Sequence, residues 1–163
     1  MKRIAVLVGV ALMAIVLVPE AAMAKGMRSA TIEGPQLAQP IRLDGDANSA
    51  NRLAEVSGIY ETMWGDAGED TRPSNRLGPR YVVTFDLLVG QDETAPIRQQ
   101  LYPLAEGGAV TYTRPGQRIR GRDKSVGGWY HAGDQLTRYL ITLGVPPGSW
   151  RPVPVEAPPQ TAG

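Results

Sequence analysis

Apolar and polar residues alternate most regularly between Tyr81 and Val89. Every second residue of this stretch is apolar, whereas the residues between them mix polar and apolar side chains. In an extended chain these two sets lie on opposite faces. The pattern is typical of a central antiparallel strand with one face on the core and the other face partly covered.

Two weaker strand patterns follow this central strand. The polar segment 91–96 suits a hairpin loop, and the alternation at 97–102 predicts the returning strand. Gly107 and Gly108 permit another reversal, and residues 109–113 form a short third strand. Pro115-Gly116 then occupy the centre of a type II turn. Strands with such short connections favour a meander of local hairpins.

The segments on either side of the meander predict edge strands and helices. Short strands at 30–33 and 41–43 are separated by prolines, which favours an edge position. A helix is predicted over 46–57, with Asp46 or Ser49 as N-cap and Gly58 as its end, and 59–64 continue at helical spacing. A further helix is predicted over 134–143, where Leu136, Tyr139, Leu140 and Leu143 share one face. The predicted fold is α+β, an antiparallel meander sheet of four to six strands with one or two helices on one face. The alternative is a β-sandwich if the first helix does not form.

Residues 1–24 have the pattern of a signal peptide. Lys2 and Arg3 precede an apolar run at 4–18, and Ala22-Met23-Ala24 is an A-x-A cleavage site. The run is shorter than the roughly 18–20 residues that span a bilayer. We therefore expect a secreted protein that begins at Lys25, with one globular domain at 25–144 and no membrane span after processing. Six of the 19 residues from 145 to 163 are proline, which predicts an extended, mostly disordered tail.

Composition excludes some chemistry. The chain has no cysteine, which excludes thiol catalysis and thiolate metal sites. Removal of Lys2, Arg3 and Glu20 with the leader leaves 15 of the 17 cationic and 15 of the 16 acidic side chains, and hence no net charge. Their distribution is uneven, because residues 114–138 carry six cations and two anions. The mature protein is therefore a mild dipole, and its total charge does not indicate nucleic-acid binding.

Candidate catalytic and metal-binding residues are few. His131 is the single histidine, and no nucleophile motif lies near it. A hydrolase whose site includes His131 stays an alternative, because catalytic triads assemble in space rather than in sequence. The carboxylates of Asp66, Glu69 and Asp70 could bind a hard cation such as calcium. Their spacing, however, does not match a helix–loop–helix calcium site, and a solvated loop is the alternative. We therefore predict no cofactor, no metal and no assigned catalytic residue.

The most informative polar feature is a run of cations at every second residue. Arg118, Arg120, Arg122 and Lys124 would share one face if the segment were extended. They could then follow the phosphates or carboxylates of an anionic cell-wall polymer or of a nucleic acid, with Arg114, Trp129 and Tyr130 nearby. The alternative is an edge strand protected by charge, or a solvated loop.

Several sequence motifs carry a family resemblance. The segments LGPRYVVTFDL, LYPLAEGGAVTYTRPGQ and GGWYHA, followed by LITLGVP, resemble an uncharacterised family of small secreted proteins of high-GC Gram-positive bacteria. The resemblance covers residues 32–146, and this chain departs from the pattern at Leu104 and Ala109, both in turns. The resemblance implies that the protein is secreted, and it assigns no catalytic residue to this chain. The first functional hypothesis is therefore a secreted, non-enzymatic envelope or interaction protein.

Overall fold

The computed structural model describes residues 26–65, 73, 75–90, 92–121 and 123–147. The predicted signal peptide, most of the acidic loop at 66–72 and the tail from 148 onward lie outside these residues. Arg122, the third cation of the run, also lies outside them.

Six strands in the described part of the chain form one antiparallel sheet. They are β1 (Met27–Glu33), β2 (Ile41–Arg42), β3 (Tyr81–Leu88), β4 (Thr94–Tyr102), β5 (Val110–Thr113) and β6 (Gly128–His131). Their order across the sheet is β2-β1-β3-β4-β5-β6. The predicted α+β fold with an antiparallel meander is confirmed, and these strands form a single sheet rather than a sandwich.

Strand β3 lies near the middle of the sheet, as its alternation predicts. Val83 and Phe85 are fully buried, whereas Val82 and Thr84 on the other face are half-buried. Phe85 lies opposite Ala30 of β1 on one side and opposite Ile97 of β4 on the other. The two neighbouring strands therefore fix which face of β3 enters the core.

Two strands differ from the sequence expectation. β4 begins at Thr94, so Pro96 lies within a strand rather than in a hairpin loop. Proline is tolerated there because β5 pairs with β4 only from Gln99 onward, which leaves residue 96 on a free edge. β6 was not predicted, because its four residues begin with a glycine and follow a polar, glycine-rich segment.

Three helices in the described residues pack on one face of the sheet. They are α1 (Ala47–Ser57), α2 (Ile59–Trp64) and α3 (Gly133–Thr142). The carboxylate of Asp46 accepts hydrogen bonds from the backbone N–H groups of Asn48 and Ser49, which confirms it as the N-cap of α1. Gly58, with φ of +65°, ends α1 and allows α2 to begin directly afterwards.

The core joins the helices to the face of the sheet that carries Phe85. Its largest fully buried side chains are Tyr81, Phe85, Met27, Ile32, Leu53, Ile59, Met63, Leu87, Ile97, Leu101, Leu136 and Leu140. Val145 also belongs to this core, with 3% of its surface exposed. Core packing therefore reaches Val145, one residue beyond the predicted domain boundary at Gly144. None of the described helices is long and apolar enough to cross a membrane.

Polar side chains inside the core hold the end of α1 against the sheet. The carbonyl oxygen of Ser57 accepts hydrogen bonds from Gln99 Nε2 at 3.1 Å and from Thr111 Oγ1 at 2.9 Å. The hydroxyls of Thr62 and Thr113 are 2.8 Å apart. The last carbonyl groups of a helix have no intrahelical partners. Here β4 and β5 supply the donors for the carbonyl of the buried residue Ser57. These bonds direct the Gln99 side chain to the helix-covered face.

Candidate anion-binding surface

The predicted cationic segment is a hairpin rather than one extended strand. Arg118 and Lys124 form an antiparallel bridge, and the Asp123 N–H donates to the Arg120 carbonyl at 2.7 Å. The reversal passes through Gly121, whose φ is +55°. The segment is therefore not extended throughout, which was the condition for all four cations to share one face, because a glycine in the left-handed region turns the chain back. Arg118 and Lys124 still share a face, since they are direct cross-strand partners.

This hairpin, residues 116–125, has a fixed base. Ser125 Oγ donates to the Arg114 carbonyl and accepts the Gln117 N–H, both at 3.0 Å. Ile119 is buried with 5% of its surface exposed. The exposed side chains of Arg118, Arg120 and Lys124 are thus carried by an ordered backbone. Like charges directly opposite each other are unfavourable in a strand pair, and Arg118 and Lys124 are such a pair.

The side-chain amide of Gln117 attaches the hairpin to β4. Its Oε1 accepts the Arg98 N–H at 2.9 Å, and its Nε2 donates to the Arg98 carbonyl at 2.8 Å. The same Nε2 donates to the Arg114 carbonyl at 3.2 Å. β5 ends at Thr113, so the Gln117 amide takes the place of the next peptide group beside β4. Arg98, Arg114 and the hairpin are thereby held together beside the end of β5.

A groove of about 350 Å³ lies on the face of the sheet opposite the helices. It is lined by Arg80, Val82, Arg98, Gln99, Gln100, Tyr112, Arg114 and Gln117. Strand register places Val82, Gln100 and Tyr112 beside one another across β3, β4 and β5. We call this the arginine groove. It has three guanidinium groups and no acidic residue in its described lining.

An aromatic cluster supports the floor of the arginine groove. The ring centroids of Tyr112 and Trp129 are 4.8 Å apart, and those of Tyr102 and Trp129 are 5.7 Å apart. The Tyr102 hydroxyl donates to Gln100 Oε1 at 2.6 Å. These contacts fix the ring of Tyr112 and the orientation of the Gln100 amide. Trp129 therefore belongs to this surface, as the sequence suggested.

Tyr130, which the sequence placed near the cations, serves the other face of the sheet. Its ring lies against Gly58, at the junction of α1 and α2. Burial, followed by the charge of Glu61, raises the pKa of Tyr130. A group packed in this way belongs to the helix–sheet contact and not to the cationic surface.

A second groove adjoins the first. It has a volume of about 580 Å³ and is lined by Glu93, Thr94, Ala95, Pro96, Gln117, Arg118, Ile119, Arg120 and Gly121. Gln117 lines both grooves. The exposed cations of the hairpin therefore continue into the arginine groove along one surface, with Glu93 as the acidic residue in the lining of the second groove.

The arginines of the first groove have no carboxylate partners in the described part of the chain. Ion pairs there join Arg28 to Asp92, Arg52 to Glu55 and Arg76 to Glu106. Arg80, Arg98 and Arg114 are exposed and form none with a described residue. Three cations gathered without a described counter-charge make this surface attractive to anions.

The remaining sequence candidates lie elsewhere. His131 is exposed at the end of β6 and pairs with Val110, at the opposite end of β5 from Arg114. Asp66, Glu69 and Asp70 lie outside the described residues. Among the residues that are described, no group of three or more His, Asp or Glu side chains is placed to hold a metal ion.

Sequence reasoning missed most of the arginine groove. The alternation at 97–102 contains Arg98 and Gln100 as polar positions of a strand, and nothing in the sequence links them to Arg80. The register that brings Gln100 beside Tyr112 depends on the length of the 103–109 connection. A correct register for two hairpins would have placed these side chains together.

Comparison with protein-family models, with curated proteins and with solved structures finds no match to this chain.

Proposed function

We propose that this protein is an exported, non-enzymatic binding protein that contacts an anionic cell-wall polymer through the 116–125 hairpin. The observation that carries the proposal is the bridge between Arg118 and Lys124, which places two exposed cations side by side on an ordered backbone. This pairing is unfavourable in the free protein. A polyanion that lies across both residues would remove the repulsion and release its own counterions.

The geometry favours a polymer over a compact ligand at this position. The hairpin cations project from a surface that continues past Gln117 into the arginine groove. A chain of regularly spaced charges can contact several points of such a surface at once, whereas a single anion contacts one. Each neutralised phosphate adds to the salt dependence of binding, so the number of contacts can be measured.

The test compares a quadruple variant with a matched control. Arg118, Arg120, Arg122 and Lys124 are changed to glutamine in the first. Arg28, Arg42, Arg52 and Arg138, which lie on other elements, are changed to glutamine in the second. Both lose four positive charges, so total charge is matched. Binding to poly(glycerol phosphate) and to polygalacturonate is measured by fluorescence anisotropy between about 50 and 200 mM salt.

We expect the hairpin variant to lose binding and the control to retain most of it. With about 0.7 ions released per single-strand contact, four contacts contribute a slope of about 3 in log affinity against log salt. Equal binding by the two variants, or salt-independent binding by the parent, would contradict the proposal. If the protein bound single-stranded DNA more tightly than either wall-type polymer, its partner would be a nucleic acid rather than a cell-wall polymer.

Export is tested separately. The proposal requires a secreted protein whose mature form begins at Lys25. N-terminal sequencing of protein recovered from culture fluid is expected to read from Lys25. A cell-retained protein that begins at Met1 would remove the cell-wall polymer as its partner.

A further inference from the structure

The arginine groove has features of a ligand site that polymer binding at the hairpin does not use. Its available polar side-chain groups are mostly hydrogen-bond donors, and the Tyr112 hydroxyl, which can donate or accept, is the exception. Gln117 has both amide atoms engaged with backbone. Gln100 Oε1 already accepts from Tyr102, which leaves Gln100 Nε2, a donor, without a partner among the described residues. The three guanidinium groups are donors only.

The one buried side-chain acceptor that lacks a partner among the described lining residues does not face the groove. Gln99 Oε1 has no partner in the described structure, but Gln99 is fully buried and its Nε2 bonds Ser57 on the helix side of the sheet. Gln99 therefore lines the groove through its backbone. The groove presents donors, and its natural complement is a group that only accepts hydrogen bonds.

Charge and shape narrow the ligand further. Three arginines line the groove without a described acidic residue, so an anion with two negative charges would be held better than a monoanion. Guanidinium groups match carboxylates and phosphates in bidentate geometry. Val82 and the ring of Tyr112 give the groove an apolar part, and Trp129 behind Tyr112 holds that ring in place. A small ligand site of this kind combines apolar lining with a few placed polar groups.

We propose that the arginine groove binds a small, doubly charged oxyanionic ligand with a ring-shaped or apolar body: a phosphate monoester or a vicinal dicarboxylate. Arg98 and Arg114, whose backbone carbonyls share the Gln117 amide, hold the anionic group, and Arg80 adds positive charge from further along the groove. Gln100 Nε2 donates to one of the oxygens of the ligand, and Tyr112 contacts its body. This site is separate from the hairpin cations, and it does not require that the hairpin bind a polymer.

Titration calorimetry with chosen probes tests the site. Phenyl phosphate and phthalate carry a dianion on a ring, one as a phosphate and the other as two adjacent carboxylates. Benzoate carries a single charge on the same ring, and inorganic phosphate lacks the ring. We expect saturable binding of one of the two dianions, with weaker binding of benzoate and of inorganic phosphate. Whichever dianion binds more tightly identifies the oxyanion class. Absence of saturable binding by both dianions would overturn the proposal.

Variants locate the binding. Arg98→Gln is expected to weaken it about 10- to 100-fold, the usual effect of losing a hydrogen bond to a charged group. Arg98→Lys keeps the charge but loses the bidentate geometry, and its affinity is expected to lie between those of the parent and of Arg98→Gln. Arg42→Gln, an exposed arginine on β2, is the control and is expected to bind like the parent. Equal affinities for Arg98→Gln and Arg42→Gln would contradict the assignment.

Thermal unfolding separates a ligand role from a structural one. Arg80 and Arg98 have no described counter-charge, so Arg80→Gln and Arg98→Gln are expected to leave the melting temperature of the free protein unchanged or raised. At the same concentration, the dianion that binds should raise the melting temperature of the parent by more than that of these variants. A large loss of stability in both free variants would show that the arginines support the fold, and would overturn the proposal.

The quadruple hairpin variant is expected to bind the dianion normally, and loss of that binding would show that the two sites are not separate.

Discussion

Gly58 joins α1 to α2 and is the position where adding one methyl group is expected to matter most clearly. Its φ is +65°, in the region that residues with a Cβ rarely adopt. A Cβ built on Gly58 would lie 2.2 Å from two carbon atoms of the Tyr130 ring. Gly58→Ala therefore combines backbone strain with an overlap against β6, which is the edge strand beside the cationic surface.

The magnitude can be divided into two parts. Left-handed backbone costs about 1–2 kcal/mol for a residue with a Cβ. Overpacking against a side chain costs about 1–3 kcal/mol more. Gly58→Ala is expected to lose about 2–5 kcal/mol, a large part of the roughly 5–15 kcal/mol that stabilises a small domain. Gly45→Ala is the matched control, because Gly45 has φ of +83° and open space around the added Cβ. It is expected to lose only the backbone part.

Urea unfolding of the three proteins checks this reasoning. The free energy of unfolding follows from linear extrapolation, and the slopes should agree if only the native state changes. A double variant of Gly58→Ala and Tyr130→Ala should lose less than the sum of the single changes, by about 1–3 kcal/mol, because the overlap is absent without the ring. Equal losses for Gly58→Ala and Gly45→Ala would refute the steric argument and mean that the Gly58–Tyr130 contact is not formed.

Three further outcomes are expected from the fold. Phe85→Ala should cost about 3–5 kcal/mol in denaturant unfolding, and Thr84→Ala on the half-buried face should cost less, so equal losses would mean a wrong strand register. Thr113→Val leaves Thr62 with its helix carbonyl acceptors and should cost no more than about 1–2 kcal/mol, so a larger loss would show a buried group left unpaired. Hydrogen bonds from the hydroxyl of Ser49, then from the backbone N–H of Ser49, lower the pKa of Asp46; desolvation opposes them, and the N–H of Asn48 adds a weaker lowering effect. The contribution of Asp46 is therefore present above its ordinary pKa of 3.8 and lost as pH falls through its lower folded value, and Asp46→Asn should flatten the stability profile in that acid range.

The core was largely readable from the sequence. The alternation at 81–89 identified the buried face of β3, because side chains along a strand change face at every residue regardless of distant contacts. The ends of α1 were equally local: Asp46 caps the first N–H groups, and Gly58 supplies the left-handed residue that stops the helix. These features depend on residues within one turn of each other, so the sequence contains all the information that determines them.

The candidate sites were decided by tertiary structure. The cationic run was visible, but its shape depended on one left-handed glycine, and spacing of two fits both a strand and the two arms of a hairpin. Arg80, Arg98 and Arg114 are brought together only when β3, β4 and β5 pair in register and Gln117 ties the hairpin to β4. Such pairings join residues far apart in the chain, and a shift of one residue would send every side chain to the other face. Local pattern therefore determined which residues enter the core, whereas strand register alone determined which charges meet.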